Sequence, residues 1–561
     1  PLYSSAASDV YKRQVLQLDA SWVDYTLIAI YFVFVLGIGL AARRKVSSSI
    51  DFFLAGRGLP AWVTGLAFIS ANLGAVEIIG MSANGVQYGL QTMHYFWIGA
   101  VPAMVFLGIV MMPFYYGSRV RSVPEFMRKR FGPGAHLVNA ISFALAQLLI
   151  AGINLLLLAK VVKSLLGWDM WVTLLVAAAI VLSYITLGGL SAAIYNEVIQ
   201  FFVIVAALLP LTIIGMNKVG GWSGLKEHLA SESHFHTWPG MELSGFDSPV
   251  WSVVGIVFGL GFVLSFGYWT TNFVEVQRSM AADSMSSARK TPIIGAFPKM
   301  FIPFIVVLPG MIAASIVTPI KDGSAQPNDA VLYLMRDLLP NGLLGVAIAG
   351  LLAAFMAGMA ANISAFNTVM SYDIWQTYVV KNRSDQYYLT VGRIATVLAT
   401  IIAIGTAMIA NNFGNVMDYL QTLFGFFNAP LFATFLLGMF WKRMTPAAGW
   451  TGLVSGTAAA IIYWYVSSFT DAQAAFFNLP GQGTAFIAAS LAFATDVLVS
   501  VVVTLVTKPK PDYELVGFVS SVTPKEFLTD PVEATLPWYK RTVPLGILCL
   551  AMVITLNTVF A

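Results

Sequence analysis

Apolar runs long enough to cross a lipid bilayer recur from one end of this chain to the other; "YTLIAIYFVFVLGIGLAA" (25–42) and "TVPLGILCLAMVITLNTVF" (542–560) are two of them. A helix needs about 20 apolar residues to span the hydrocarbon core. Inside that core every backbone N–H and C=O must find a partner within the protein, which makes helices the expected solution. The runs place spans at 23–42, 61–86, 92–116, 137–165, 170–188, 192–216, 249–276, 292–317, 341–376, 390–410, 414–440, 447–468, 483–506 and 541–560, fourteen in all. The expected fold class is an all-α integral membrane protein of about 14 transmembrane helices.

Of the 561 residues 58% are hydrophobic and 10% charged, against roughly 25% charged in soluble domains. A large soluble fold is excluded. The one cysteine, Cys549, rules out a disulfide framework and a cysteine zinc site. A net charge of +4 is too small to suggest a nucleic-acid partner. No Gly-rich loop with a phosphate-holding Lys occurs, so neither ATP-driven transport nor an enzyme is expected. The first fourteen residues, "PLYSSAASDVYKRQ", have no initiator Met and no signal-peptide pattern. They read as an adapter-derived or disordered tail, outside the fold.

The short connections carry the orientation signal. Arg43, Arg44, Lys45 and Arg57 follow the first span, and Arg119, Arg121, Arg128, Lys129 and Arg130 the third. Arg278, Arg289 and Lys290 follow the seventh, Lys381 and Arg383 the ninth, and Lys442 and Arg443 the eleventh. Lys508, Lys510, Lys525, Lys540 and Arg541 flank the last connection. All fall on one side when the spans are counted as above, and by the positive-inside rule that side is the cytoplasm. The expected location is the inner (plasma) membrane, multi-pass, with both termini outside.

Polar groups inside a membrane are costly and mark candidate functional sites. "FISANLGAVEIIGMSANG" (68–85) puts Asn72, Gly74, Glu77, Gly80 and Asn84 in the second span. Span 249–276 holds Ser265, Tyr268, Trp269, Thr270, Thr271 and Asn272, loosened by Gly259, Gly261 and Gly267. Lys299 lies between Pro298 and Pro303, and Gln421 in span 414–440. Both Gly-interrupted spans open a run of five helices, 61–216 and 249–440. Paired broken helices in two halves point to a transporter binding site, and an odd number of helices per half inverts the second. The organisation is then a first helix and loop (15–60), the first repeat (61–216), an external loop (217–248), the inverted repeat (249–440), and three further helices (441–561) with a cytoplasmic loop at 507–540.

Five stretches carry a family likeness: "DFFLAGRGLPAWVTGLAFISAN" (51–72), "SVPEFMRKRFG" (122–132), "LGGLSAAIYNEVIQ" (187–200), "YWTTNFVEVQR" (268–278) and "FLLGMFWKRMTPAAG" (435–449). With them the segment from about 23 to 560 resembles the solute:sodium symporters, and "YW…QR" with Lys299 resembles their sodium/sugar branch. The resemblance implies a leucine-transporter-type fold with inverted five-helix repeats. It implies a secondary symporter that imports a small polar solute, most simply a sugar or polyol, on a cation gradient by alternating access. The coupling ion would be sodium, with no cofactor and no obligatory protein partner beyond the solute and the bilayer.

Carried over position by position, Tyr268 matches a Tyr that closes the pocket from inside. Asn272, Lys299 and Gln421 match pocket groups, and Asn72, Ser265 and Trp269 stand beside them. Glu77 stands where the branch has Gln, Phe96 where it has Glu, Ser265 and Ile150 where it has Asn. Planar amides, carboxylates and aromatic faces suit a polyhydroxylated solute, and Trp97 could add to them. Lys299 could instead snorkel towards the cytoplasm, and His94 reads as a hydrogen-bonded interface residue rather than a ligand. Glu77 and Lys299 are expected to face one cavity and pair.

The sodium site implied by the resemblance uses carbonyls of Ser70, Leu73 and Ala354, plus two neighbouring hydroxyl side chains. Those two positions are Ala357 and Gly358 here, and neither supplies an oxygen. A hard cation such as sodium wants about five or six oxygens, by analogy with other hard ions. Two outcomes stay open. The site is rebuilt with water or a shifted ligand, or transport is proton-coupled, weakly sodium-coupled or facilitative, with Glu77 or Glu197 carrying the proton. A solute sensor that signals through a separate partner is a third reading.

Overall fold

The structure is a computed structural model describing residues 16–43, 48–229, 231–410, 415–469, 479 and 481–561. The tail 1–14, with Arg44 and Lys45, lies outside the described residues. Among the described residues helices dominate, and the only strand-like pairing is an isolated bridge between Leu59 and Ala282.

The principal helices are α1 (Trp22–Arg43), α2 (Ala61–Asn72), α3 (Ala75–Tyr88), α4 (Tyr95–Gly117), α5 (Pro133–Leu166), α6 (Met170–Val219), α7 (Pro249–Thr271), α8 (Phe273–Met280), α9 (Met285–Lys299), α10 (Pro303–Ile316), α11 (Leu343–Val379), α12 (Asp385–Ala410), α13 (Val416–Phe440), α14 (Pro446–Phe469), α15 (Gly483–Val506) and α16 (Thr542–Val559). Ten described helices are long and apolar enough to cross a membrane, and twelve if each of two bent pairs is one span. The expected fourteen is not reached by this measure. The other two expected spans fall on shorter apolar stretches, Trp22–Ile38 and Met170–Ser183. The latter is continuous in helical hydrogen bonding with Ala193–Val219.

The bends have chemical causes. At the α2–α3 break Gly74 is extended (φ −85, ψ −176), and the two axes differ by 54°. A Cβ on Gly74 would stand 3.4 Å from the Cα of Gly358, so the break lies directly on α11. α9 and α10 differ by 47°. Pro303 starts α10, where its missing N–H costs nothing. α7 gives way to α8 at Asn272, whose Oδ1 accepts the Val274 N–H at 3.0 Å and caps the new helix. Close helix contacts rest on glycine. A Cβ on Gly310 would meet the Ser82 carbonyl oxygen at 1.9 Å, and one on Gly152 the Thr406 hydroxyl at 2.2 Å.

The basic connections meet at one end of the molecule. Arg57 donates to the Val120 carbonyl (2.6 Å), Lys510 to the Lys129 carbonyl (3.1 Å), and Lys442 pairs with Asp512 (3.1 Å). Arg130 is fully buried and ties α13 to the following turn through the carbonyls of Gly438, Trp441 and Met444. The connection 217–248 reaches different partners: Thr237 accepts from His94 at 2.7 Å, and Leu243 donates to Gln91 at 2.9 Å.

Candidate solute and ion site

Where the α2–α3 and α7–α8 breaks face one another, a cavity of about 100 Å3 opens. Asn72, Glu77, Phe96, Ser265, Tyr268, Trp269, Asn272, Lys299 and Gln421 all line it, and so does Ile150. Lys299 is 2% exposed, so it does not snorkel. Its ammonium donates to Glu77 Oε1 and to Asn72 Oδ1. It also faces the rings of Phe96 (4.9 Å) and Trp269 (5.1 Å), contacts that favour a desolvated cation. The ion pair expected between Glu77 and Lys299 is present. Aromatic rings on both sides explain why a Phe can occupy position 96 beside a buried lysine.

Tyr268 bridges the two breaks. Its hydroxyl accepts from Asn72 Nδ2 (3.0 Å) and donates to Glu275 Oε1 (2.7 Å). Its ring lies against Phe424 at 4.4 Å. Asn272 spends its acceptor on the α8 cap, which leaves its amide N–H groups for a solute. Gln421 holds a weak contact to the Met417 sulfur at 3.3 Å and is otherwise available. Ser265 sits against Gly99, where a Cβ would come within 2.3 Å of its hydroxyl.

Other expected positions lie elsewhere. Trp97 is fully buried behind the cavity wall and donates to the Met300 carbonyl (2.9 Å); it does not reach the solute space. His94 is buried and bonded to the Thr237 carbonyl, as an interface residue would be. Glu197 is off the cavity, held by Arg278. Of the sodium-site positions Gly358 lines the cavity, while Ser70, Leu73, Ala354 and Ala357 are buried next to it.

Three lining or adjoining groups stand outside the expected site, with Asn362 expected only as a polar residue of span 341–376. Glu275 is fully buried, and its Oε2 has no partner. It lies inside "YWTTNFVEVQR", a stretch that carried the family likeness, so the signal was present. Asn362 and Asn154 line the cavity. Asn154 is an isolated amide in an aliphatic run, and no local pattern singles it out.

Two broken helices that meet across a buried polar cavity, packed in a helical bundle, define a secondary transporter of the leucine-transporter type. The chain belongs to the sodium:solute symporter family, matched over residues 52–456. It is 30% identical to a sodium/glucose cotransporter of Vibrio parahaemolyticus, over 79% of this chain and 85% of that protein. It is 28% identical to sodium/myo-inositol cotransporter 2 of Mus musculus, over 78% of this chain and 69% of that protein. A substrate-bound, outward-open Na+-coupled sialic acid symporter superposes with a TM-score of 0.73 at 20% identity, covering 87% of this chain and 98% of its own.

Proposed function

We propose that this protein imports a sugar or polyol together with sodium. The observation that carries the reading is the polar chain Glu77–Lys299–Asn72–Tyr268–Glu275 along one side of a buried cavity with aromatic walls. A polyol can replace each of these contacts with its own hydroxyls, which donate and accept in pairs. The ring face of Tyr268 offers an apolar surface for the C–H side of the solute. The relatives named above for glucose and myo-inositol support the same solute class. Alternating access then requires the Tyr268 bridge to part, because it ties the broken helix of one half to that of the other. The end where the basic connections gather faces the cytoplasm, and both ends of the described chain face outside.

A second reading has one observation behind it. Glu77 Oε2 and Glu275 Oε2 are buried without partners. A carboxylate oxygen without a partner has room for a proton, so proton coupling in place of sodium is the second reading. Glu197 is a poor carrier, since both its oxygens are committed to Arg278.

The solute is tested by a thermal-shift screen of the purified protein against sugars, polyols and small organic acids. The ion is tested by uptake into proteoliposomes under a sodium gradient alone and a proton gradient alone. Stabilisation by polyols and accumulation driven by sodium are expected. Stabilisation by acids only, or accumulation driven only by protons, would overturn the respective half.

A further inference from the structure

The sodium site implied by the family lacks its two hydroxyl side chains, yet its surroundings hold an oxygen with nothing to bind. Asn154 on α5 is 4% exposed. Its Nδ2 donates to the Ile150 carbonyl one turn back (3.2 Å), which fixes the amide's orientation. Its Oδ1 has no hydrogen-bond partner. A buried acceptor left unpaired is costly, and such atoms need a reason.

The position of that oxygen supplies one. A Cβ on Gly358 would stand 2.8 Å from Asn154 Oδ1. A Cβ on Gly74 would stand 3.5 Å from the same oxygen and 3.5 Å from the Ala354 carbonyl oxygen. Asn154 thus reaches into the volume that a side chain at position 358 would fill, beside the helix break. A serine there and this amide would exclude one another, so the glycine and the asparagine form a matched exchange.

The break also frees two carbonyls of the implied shell, those of Ser70 and Leu73. Gly74 N–H donates to the Asn72 carbonyl and Glu77 N–H to the Gly74 carbonyl, at 2.6 and 3.1 Å. In an unbroken helix those donors would serve the carbonyls of Ser70 and Leu73. The Ser70 hydroxyl is fully buried and has no partner. Ser70, Leu73, Ala354 and Asn154 therefore offer only oxygen atoms, as a hard monovalent cation requires.

We infer that Asn154 supplies the cation ligand that Ala357 and Gly358 cannot, so that the sodium site is rebuilt from α5 rather than lost. The inference rests on the sodium-coupled reading above. It places the ion against the solute cavity, because Asn154, Gly74 and Gly358 line that cavity too.

The test measures sodium on the purified full chain in detergent without solute. Two readouts are used: saturable binding of radiolabelled sodium, and the melting temperature as choline is exchanged for sodium. Asn154→Ala should weaken sodium affinity by at least about tenfold, the usual effect of losing a supporting metal contact. Gly358→Ala should do the same with Asn154 intact, by pushing the amide aside, and covers the case in which Asn154→Ala does not fold. Asn154→Ala combined with Gly358→Ser should recover sodium affinity. Wild-type sodium affinity in both single variants would overturn the role of Asn154 while leaving sodium coupling standing. No saturable sodium response in the wild type would overturn the coupling reading, and the rebuilt site with it.

Discussion

Arg278 grips Glu197 with two nitrogens, Nη2 to Oε1 at 2.6 Å and Nε to Oε2 at 3.3 Å, and neither side chain is exposed. That pair fastens α8 to α6, and the same guanidinium also donates to the Val274 carbonyl within α8 at 2.8 Å. Two desolvated charges hold each other in place, and removing one strands the other. Arg278→Met should destabilise the protein by about 3–5 kcal/mol. The double variant Glu197→Gln/Arg278→Met should recover most of that loss, read as melting temperature in detergent. Additive losses would show that the two residues act independently.

Lys299→Met should abolish solute binding and leave Glu77 buried without its counter-charge, at a cost of several kcal/mol. Glu77→Gln combined with Lys299→Met should fold better than either single variant and still fail to bind. Melting temperature and calorimetric titration on the same samples separate the two effects. A single variant more stable than the double would count against the coupling.

Tyr268→Phe keeps the ring against Phe424 and removes both bonds of the bridge. At about 1 kcal/mol per hydrogen bond, the closed cavity should lose about 2 kcal/mol. Uptake should continue with looser coupling, seen as faster sodium leak without solute. Tyr268→Ala removes stacking as well and should weaken solute binding by about 1–2 kcal/mol. Unchanged leak and unchanged affinity would remove Tyr268 from the gate.

Gly310→Ala and Gly405→Ala form a matched pair. The first drives a methyl into the Ser82 carbonyl, while the second meets nothing within 4 Å. Overpacking of that kind typically costs about 1–3 kcal/mol. Gly310→Ala should lower the melting temperature and the yield, and Gly405→Ala should change neither.

Glu533, in the connection before α16, is opposed by burial, which alone would raise its pKa. Hydrogen bonds from Ser286 and the Thr542 N–H, with Lys290 at 3.7 Å, outweigh that and hold it below the usual carboxylate range. A lowered folded pKa adds stability above the unfolded value and loses it as pH falls through the folded one. Proteolysis of the 507–540 connection should therefore speed up as the pH falls below the ordinary carboxylate range. Glu533→Gln should show the faster rate already at neutral pH.

Most of the spans and the two breaks were legible because hydrocarbon leaves few alternatives, whereas the turn expected between spans 170–188 and 192–216 is continuous helix. An Asn, a Gly and a Glu inside one apolar run cost too much to serve as mere packing, and Asn72–Gly74 is where the chain unwinds. The aromatic envelope of Lys299 was not legible. Phe96 stood out as a lost carboxylate, and only the fold shows that its ring faces the ammonium. Trp97, the neighbour of Phe96, faces away from the cavity towards the Met300 carbonyl, and hydropathy cannot register which of the two rings turns inward. Asn154 was invisible for a different reason. Its significance depends on the absence of a side chain at Gly358, on a helix far along the chain, and a missing atom leaves no local pattern.

The mutual engagement of Lys299 and Glu77 has an electrical consequence. A carrier must return empty after each delivery, and a lone lysine in the cavity would drag one positive charge with it. A membrane potential of 100 mV weighs such a charge at about 2.3 kcal/mol. With the carboxylate beside it, this pair adds no net charge to the empty protein. The voltage then acts on the imported ion and is not spent on the machinery that carries it.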